Sequence, residues 1–147
     1  MGLLQVLVAC ADIERRASLV DVLSQCDVTP STAASVSEVR TALRQRSVHL
    51  VFCEDGLPQG GFREVLGLTK ATGAGVPLVV SSPLGDLNEY MEAMQLGAFD
   101  FIAPPYRRVE VESIVNSVRE IHLSKRMGGT RRNIQAGAVP QDDDAVA

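Results

Sequence analysis

The sequence predicts an open, five-stranded parallel α/β sheet with helices on both faces. Three observations carry this. Short apolar runs alternate with amphipathic helical patterns five times, as expected of successive βα units. The runs at Leu4 to Ala9 and His49 to Cys53 are almost continuously aliphatic, the pattern of strands covered on both sides. Acids, serines and prolines collect just after these runs, where such a sheet presents its ligands.

The elements follow in order. Leu4 to Ala9 is the first strand, and a helix over 13–24 turns Leu19, Val20 and Leu23 inward. A weak second strand covers 27–29. Ser35-x-x-Glu38 is a capping box that opens the second helix, with Val36, Val39 and Leu43 at helical spacing. The third strand spans 49–53, and a helix over 62–70 carries Val65, Leu66 and Leu68. Gly73, Gly75 and Pro77 punctuate the approach to a fourth strand at 78–81. Asp86-x-x-Glu89 is a second capping box, and Leu87, Tyr90, Met91 and Met94 form the predicted inward stripe of the fourth helix. Gly97 closes that helix as a left-handed cap. The fifth strand covers 99–103, Pro104-Pro105 stop it, and the last helix runs over 109–123 with Val111, Ile114, Val115, Val118 and Ile121 on its apolar face. With strands one and three central and right-handed crossovers, the leading topology is the flavodoxin-like order 2-1-3-4-5.

Residues 1–123 form the predicted domain, and 124–147 a disordered tail without apolar period, carrying Arg131-Arg132 and an acidic run at 142–144. These 24 residues are too few for a DNA-binding output domain. Apolar residues make up 46% of the chain, enough for a full core, whereas aromatics at 4% make that core aliphatic. A net charge of −4 argues against direct contact with nucleic acid. The longest apolar runs are too short to cross a bilayer and none resembles a leader, so no membrane partner is expected and the cytoplasm is the expected compartment. Cys10, Cys26 and Cys53 are odd in number and widely spaced, suited neither to a disulfide framework nor to zinc. Cys10 and Cys53 end two strands and read as small residues filling strand ends.

The predicted sheet edge gathers Ala9, Cys10, Ala11 and Asp12 after strand one, and Glu54 and Asp55 after strand three. Ser81 and Ser82 follow strand four, and Pro104 and Pro105 follow strand five. Over residues 3–123 the chain resembles the receiver domain of two-component response regulators. The resemblance rests on Val6-Leu7-Val8 with Arg15-Arg16 downstream, Glu54-Asp55-Gly56-Leu57-Pro58, Val76-Pro77-Leu78-Val79-Val80-Ser81-Ser82, and Gly97-Ala98-Phe99-Asp100-Phe101 with Pro104-Pro105-Tyr106. It implies an acidic pair after strand one holding Mg²⁺, an aspartate after strand three accepting a phosphoryl group, and a Ser/Thr and a Lys binding the phosphoryl oxygens. A hard cation needs oxygen ligands and a transferring phosphoryl group needs cations and donors.

Nearly every one of those positions departs from the family pattern. The acidic-pair positions are Ala9 and Cys10, the acceptor position is Glu54, and the lysine position is Pro104; Ser82 alone keeps its hydroxyl, with Ser81 one residue away. The resemblance thus implies a degenerate receiver, a pseudo-receiver without Asp phosphorylation, Mg²⁺ or other cofactor, acting in phosphorelay-type signal transduction by binding proteins rather than as an enzyme. Glu54 could imitate the phosphorylated state, with Ser82 turning toward it, or be a remnant on a binding scaffold. Asp55, with Asp12 helping to hold a metal, is an alternative acceptor, although the pleat aims neighbouring side chains oppositely. Phe101 falls at the family's aromatic switch position, and Pro104–Pro105 at a peptide that is cis in the family. Signalling partners, or a second copy in a homodimer, are expected on the face of the fourth helix, fifth strand and fifth helix, marked by Tyr90, Phe101, Tyr106 and Arg107-Arg108.

Rival classes fare less well. A flavin or nucleotide enzyme of this topology needs a phosphate-cradling first turn, but Ala9-Cys10-Ala11-Asp12-Ile13-Glu14 offers neither Gly nor hydroxyl and adds two acids. Nucleophilic catalysis lacks a base, since His49 begins strand three at the far sheet edge and His122 ends the last helix.

Overall fold

A computed structural model describes residues 3–72 and 75–127. Ten elements alternate: β1 (Leu4–Ala9), α1 (Ile13–Leu23), β2 (Val28–Ala33), α2 (Val36–Gln45), β3 (Leu50–Glu54), α3 (Gly61–Ala71), β4 (Leu78–Ser81), α4 (Leu87–Leu96), β5 (Asp100–Ile102) and α5 (Arg108–Met127). The five strands form one parallel sheet in the order β2-β1-β3-β4-β5, the predicted topology.

Strand parity splits the core in two. Val6, Val8, Phe52 and Val79 pack with Leu19 and Leu23 of α1 and Val111, Val115 and Val118 of α5. Their neighbours Leu7, Val51, Cys53 and Val80 pack on the other face with Val39 of α2 and Phe62 and Val65 of α3. Every residue of β3 and β4 is buried. Burying a side chain such as Leu50 or Phe52 contributes about 2 kcal/mol of transfer free energy, so the central strands are the rigid base from which the edge loops spring.

Several local expectations change. β2 is six residues long rather than a three-residue stub. As an edge strand it hydrogen-bonds only β1, which lets it contain Pro30. Ser35 caps α2 by accepting from the Glu38 amide, but the Glu38 carboxylate reaches back to the Ala34 amide at 2.7 Å, one residue before the cap. α5 continues to Met127, past the expected domain end at 123; residues 128–147 of the expected tail lie outside the described residues.

The largest correction concerns α4. Three of the four residues of its predicted inward stripe face out: Leu87 is 68% exposed, Met91 50%, and Tyr90 is also exposed. β5 is only three residues long, so α4 covers a narrow strip of sheet. It rests there on Ala93, its one buried residue, with Met94 alongside. Gly97 ends the helix at φ 104°, as expected of a left-handed cap. Ile121 of α5 likewise lies partly outside the core. All three cysteines are buried free thiols, and Cys10 and Cys53 belong to opposite faces of the sheet. Among the described residues no helix is long and apolar enough to cross a membrane.

Candidate functional site

Parity that divides the core also divides the carboxyl edge. β3 ends with Phe52 on the α1/α5 side, so Glu54 emerges on that side, in register with Ser81 of β4. Asp55 and Ser82, one residue on, belong to the α3/α4 side. The edge therefore holds two constellations.

The first is built on Glu54, which is 6% exposed. Asp12 ends the β1–α1 turn and caps α1 by accepting from the Arg15 amide at 2.9 Å. That cap aims the Arg15 side chain back across the edge, where Nε donates to Glu54 Oε2 at 2.5 Å. The same guanidinium lies 3.6 Å from Asp12. The next residue, Arg16, donates to the Cys10 carbonyl at 3.0 Å. Cys10 is buried, and its Sγ contacts the Asp12 carbonyl at 3.5 Å. Burial first, then the Glu54 charge, pushes the Cys10 thiol up to about 11. The Asp12 carboxyl is held below its ordinary value, chiefly by the Arg15 amide it accepts from. Behind Glu54, Ser81 Oγ and Tyr106 Oη are hydrogen-bonded at 2.7 Å, and burial raises the Tyr106 phenol. Cys10, Arg15, Glu54, Ser81 and Tyr106 close over one another, leaving no room for a water molecule.

The second constellation lies across the sheet. Ser82, wholly buried, donates through Oγ to Glu89 Oε1 in the first turn of α4. The Asp55 carboxyl lies close enough to the same Glu89 to feel its charge. Burial, followed by the Glu89 contact and charge, pushes Asp55 up to about 6. Arg63 of α3, which feels the charge of both carboxyls, is engaged with Glu92 at 2.5 Å. The Asp55 backbone is fixed by its amide to the Ser81 carbonyl at 2.9 Å. Gly61, at φ 66°, lets the β3–α3 loop close on it, since a Cβ there would meet the Asp55 carbonyl oxygen at 2.6 Å.

Of the residues singled out in the sequence, Cys10, Glu54 and Ser81 come together on one face, whereas Ala9, Asp55 and Ser82 belong to the other. Ser82 does not face Glu54. Pro104–Pro105 is a cis peptide at the edge. Phe101 is half-buried and meets Tyr90 edge-on, with ring centroids 5.6 Å apart at 89°. Two residues that define the chemistry were not given their roles by sequence. Arg15 entered only as part of a matching segment, and Glu89 as the closing member of a capping box. Asp86 caps α4 by accepting from the Asn88 amide, which leaves Glu89 to Ser82 and Asp55. Among the described residues no group of three or more His, Cys, Asp or Glu side chains is gathered as a metal site.

No protein-family model matches the chain, and no curated protein does. Solved structures do. The signal receiver domain of an HD domain-containing protein from Pseudomonas fluorescens Pf-5 superposes with a TM-score of 0.74 at 19% identity, covering 83% of this chain and 98% of that one. The receiver domain of NtrX from Brucella abortus gives 0.71 at 23% identity over 78% and 98% of the two chains. The beryllofluoride-activated NtrC4 receiver domain, solved as a dimer, gives 0.67 at 19% over 79% and 93%. The fold of this chain is that of response regulator receiver domains.

Proposed function

We propose that this chain is a receiver-like module of two-component signalling that works through protein contacts, is not an enzyme, and carries no phosphoryl group. One observation carries the reading: at the acceptor position stands Glu54, already paired with Arg15 in a crevice too tight for water. A phosphoryl group arriving there would have to displace an ion pair whose carboxylate is buried. The surrounding donor set fits poorly with a divalent cation. Ala9 offers a methyl group and Cys10 a buried thiol held in its neutral form, whereas Mg²⁺ requires hard oxygen ligands. Pro104 supplies neither charge nor donor to a phosphoryl oxygen.

The phosphate-mimic version of Glu54 finds less support, because Ser82 lies on the other face with Glu89 and the Glu54 charge is balanced by Arg15. Asp55 is also a poor acceptor, since a phosphoryl dianion would lie against Glu89 while Arg63 is engaged with Glu92. Protein contact is favoured by the apolar surface of α4. Leu84 is 88% exposed beside Leu87, Met91 and the Tyr90–Phe101 pair, with Arg107 and Arg108 close in sequence. Signalling proteins or a second copy are the occupants this reading assigns to it.

Amide chemical shifts recorded during titration with Mg²⁺ and beryllofluoride test the proposal. No saturable change is expected at Glu54, Ser82 and Phe101; saturable shifts converging on these residues would overturn it.

A further inference from the structure

The amino edge of the sheet, opposite Glu54, holds two imidazoles that the carboxyl-edge site does not use. His49 directly precedes β3 and closes both peptide groups of Gln5 in β1. Its backbone amide donates to the Gln5 carbonyl at 2.8 Å, and its ring Nδ1 accepts from the Gln5 amide at 2.9 Å. In a parallel ladder such an amide donates to a carbonyl of the neighbouring strand. Here β3 has not yet begun, and a side chain takes the carbonyl's place. The His122 ring of α5 lies against the His49 ring, with centroids 4.2 Å apart at 45°. One side chain thus joins the first strand to the last helix.

The hydrogen bond fixes the charge state of that side chain. A neutral imidazole has one acceptor nitrogen and one N–H, whereas an imidazolium has two donors and no acceptor. Accepting at Nδ1 therefore requires a neutral His49 with its proton on Nε2. It also occupies the lone pair through which the ring could ligate a metal. A second proton would set one N–H against the Gln5 N–H and place a positive charge beside the His122 ring.

We propose that His49 is an acid-operated clasp: neutral, it joins the Gln5 amide to the His122 ring, and on taking a proton it lets both go.

The surroundings favour the neutral ring. His49 is half-buried and borders a cavity of about 70 Å³ walled by Val48, Val76, Pro77, Val118 and Ile121. The titratable groups on that wall, His122 and Lys125, both come from α5, and neither stabilises a second cation. From β1 the ring meets Gln5, and from the 75–77 connection Gly75, Val76 and Pro77, none of them ionisable. Because the fold binds the neutral ring, the folded chain takes this proton at lower pH than the unfolded chain, whose histidine titrates near the ordinary value of about 6.5. The clasp is therefore whole above about pH 6.5 and is lost as pH falls below it. The pairing of Val6–Ala9 with Leu50–Cys53 and the His49 amide bond involve no titratable group and persist. Arg119, one turn before His122, keeps α5 on the Cys26 and Asp27 carbonyls at 3.1 and 3.2 Å. Acid thus unfastens the amino edge locally and leaves the sheet and Glu54 as they are.

Nuclear magnetic resonance of the full chain between pH 8 and 5 tests this. Ring nitrogen shifts should show His49 as the Nε2–H tautomer, titrating below about 6.5. Gln5 amide protection, corrected for intrinsic rates, is compared with that of Val51, whose amide donates to the Pro77 carbonyl. The ratio should fall about tenfold as His49 takes its proton, the worth of one hydrogen bond. His49→Asn puts an uncharged amide oxygen where Nδ1 stands, so Gln5 should stay protected at every pH. His122→Phe removes the other titratable ring and should keep the step. Gln5 protection that is flat in the wild type, an Nδ1–H tautomer, a step that survives in His49→Asn, or one that vanishes in His122→Phe would overturn the clasp.

Discussion

Removing Arg15 is the sharpest perturbation of the site. The Glu54 side chain is 7% exposed and loses its paired cation in Arg15→Ala, whereas the Arg15 side chain is 35% exposed and would remain partly hydrated without its partner. Stranding a charge in a fully buried pair costs about 3–5 kcal/mol. Here truncation at position 15 also admits solvent to Glu54, and screening lowers the figure to about 2 kcal/mol. Glu54→Gln keeps an acceptor for Arg15 Nε and leaves no stranded anion, so it should cost only about 1 kcal/mol. The double variant should resemble Glu54→Gln, because once the carboxylate is gone the guanidinium has no charge to compensate. The cycle then gives a coupling of about 2 kcal/mol. Urea unfolding reads it: with a slope of about 2 kcal/mol per molar, Arg15→Ala should lower the midpoint by about 1 M. Arg15→Ala within about 0.5 kcal/mol of wild type, or a double variant as unstable as Arg15→Ala, would refute the reasoning, because Glu54 would then not depend on this cation.

The remaining predictions concern α4, its cap and the strand β4. Gly97→Ala places a side chain at φ 104° with its Cβ 3.0 Å from Lys70 Nζ, so it should destabilise by about 1–2 kcal/mol in urea or thermal unfolding. Leu87→Ala, despite removing a leucine from a predicted inward stripe, should change stability by less than about 0.5 kcal/mol. Val80→Ala, at a wholly buried site in β4, should cost about 2 kcal/mol. Equal losses for these two would mean that α4 packs its apolar stripe inward after all.

The fold was legible because period and punctuation agreed at the long elements. β1, β3 and β4 are nearly continuous apolar runs, and α2 carries its start signal in Ser35. β2 was foreshortened in sequence because Pro30 and three hydroxyl residues look like a loop, and only an edge position makes them a strand. The orientation of α4 was not legible, since Leu87, Tyr90, Met91 and Met94 have helical spacing wherever the sheet lies. The small residue Ala93 gave no periodic signal, yet it is the one residue of the helix that is buried. At the site, sequence located Glu54 at the acceptor position but not its partner: the Arg15–Glu54 contact spans 39 residues and depends on the Asp12 cap. Glu89 satisfied a local capping pattern, and only tertiary contact shows its carboxyl committed to Ser82 and Asp55. The separation of Ser81 from Ser82 follows from pleat parity, which requires knowing where β4 begins.

Intact mass after incubation with Mg²⁺ and acetyl phosphate, alongside a receiver known to accept phosphoryl groups, tests most directly whether position 54 is closed to phosphotransfer. The ion pair at Glu54 predicts an unchanged mass for this chain while the control gains its adduct. A stoichiometric phosphoryl adduct, mapped to Glu54 or Asp55, would contradict it.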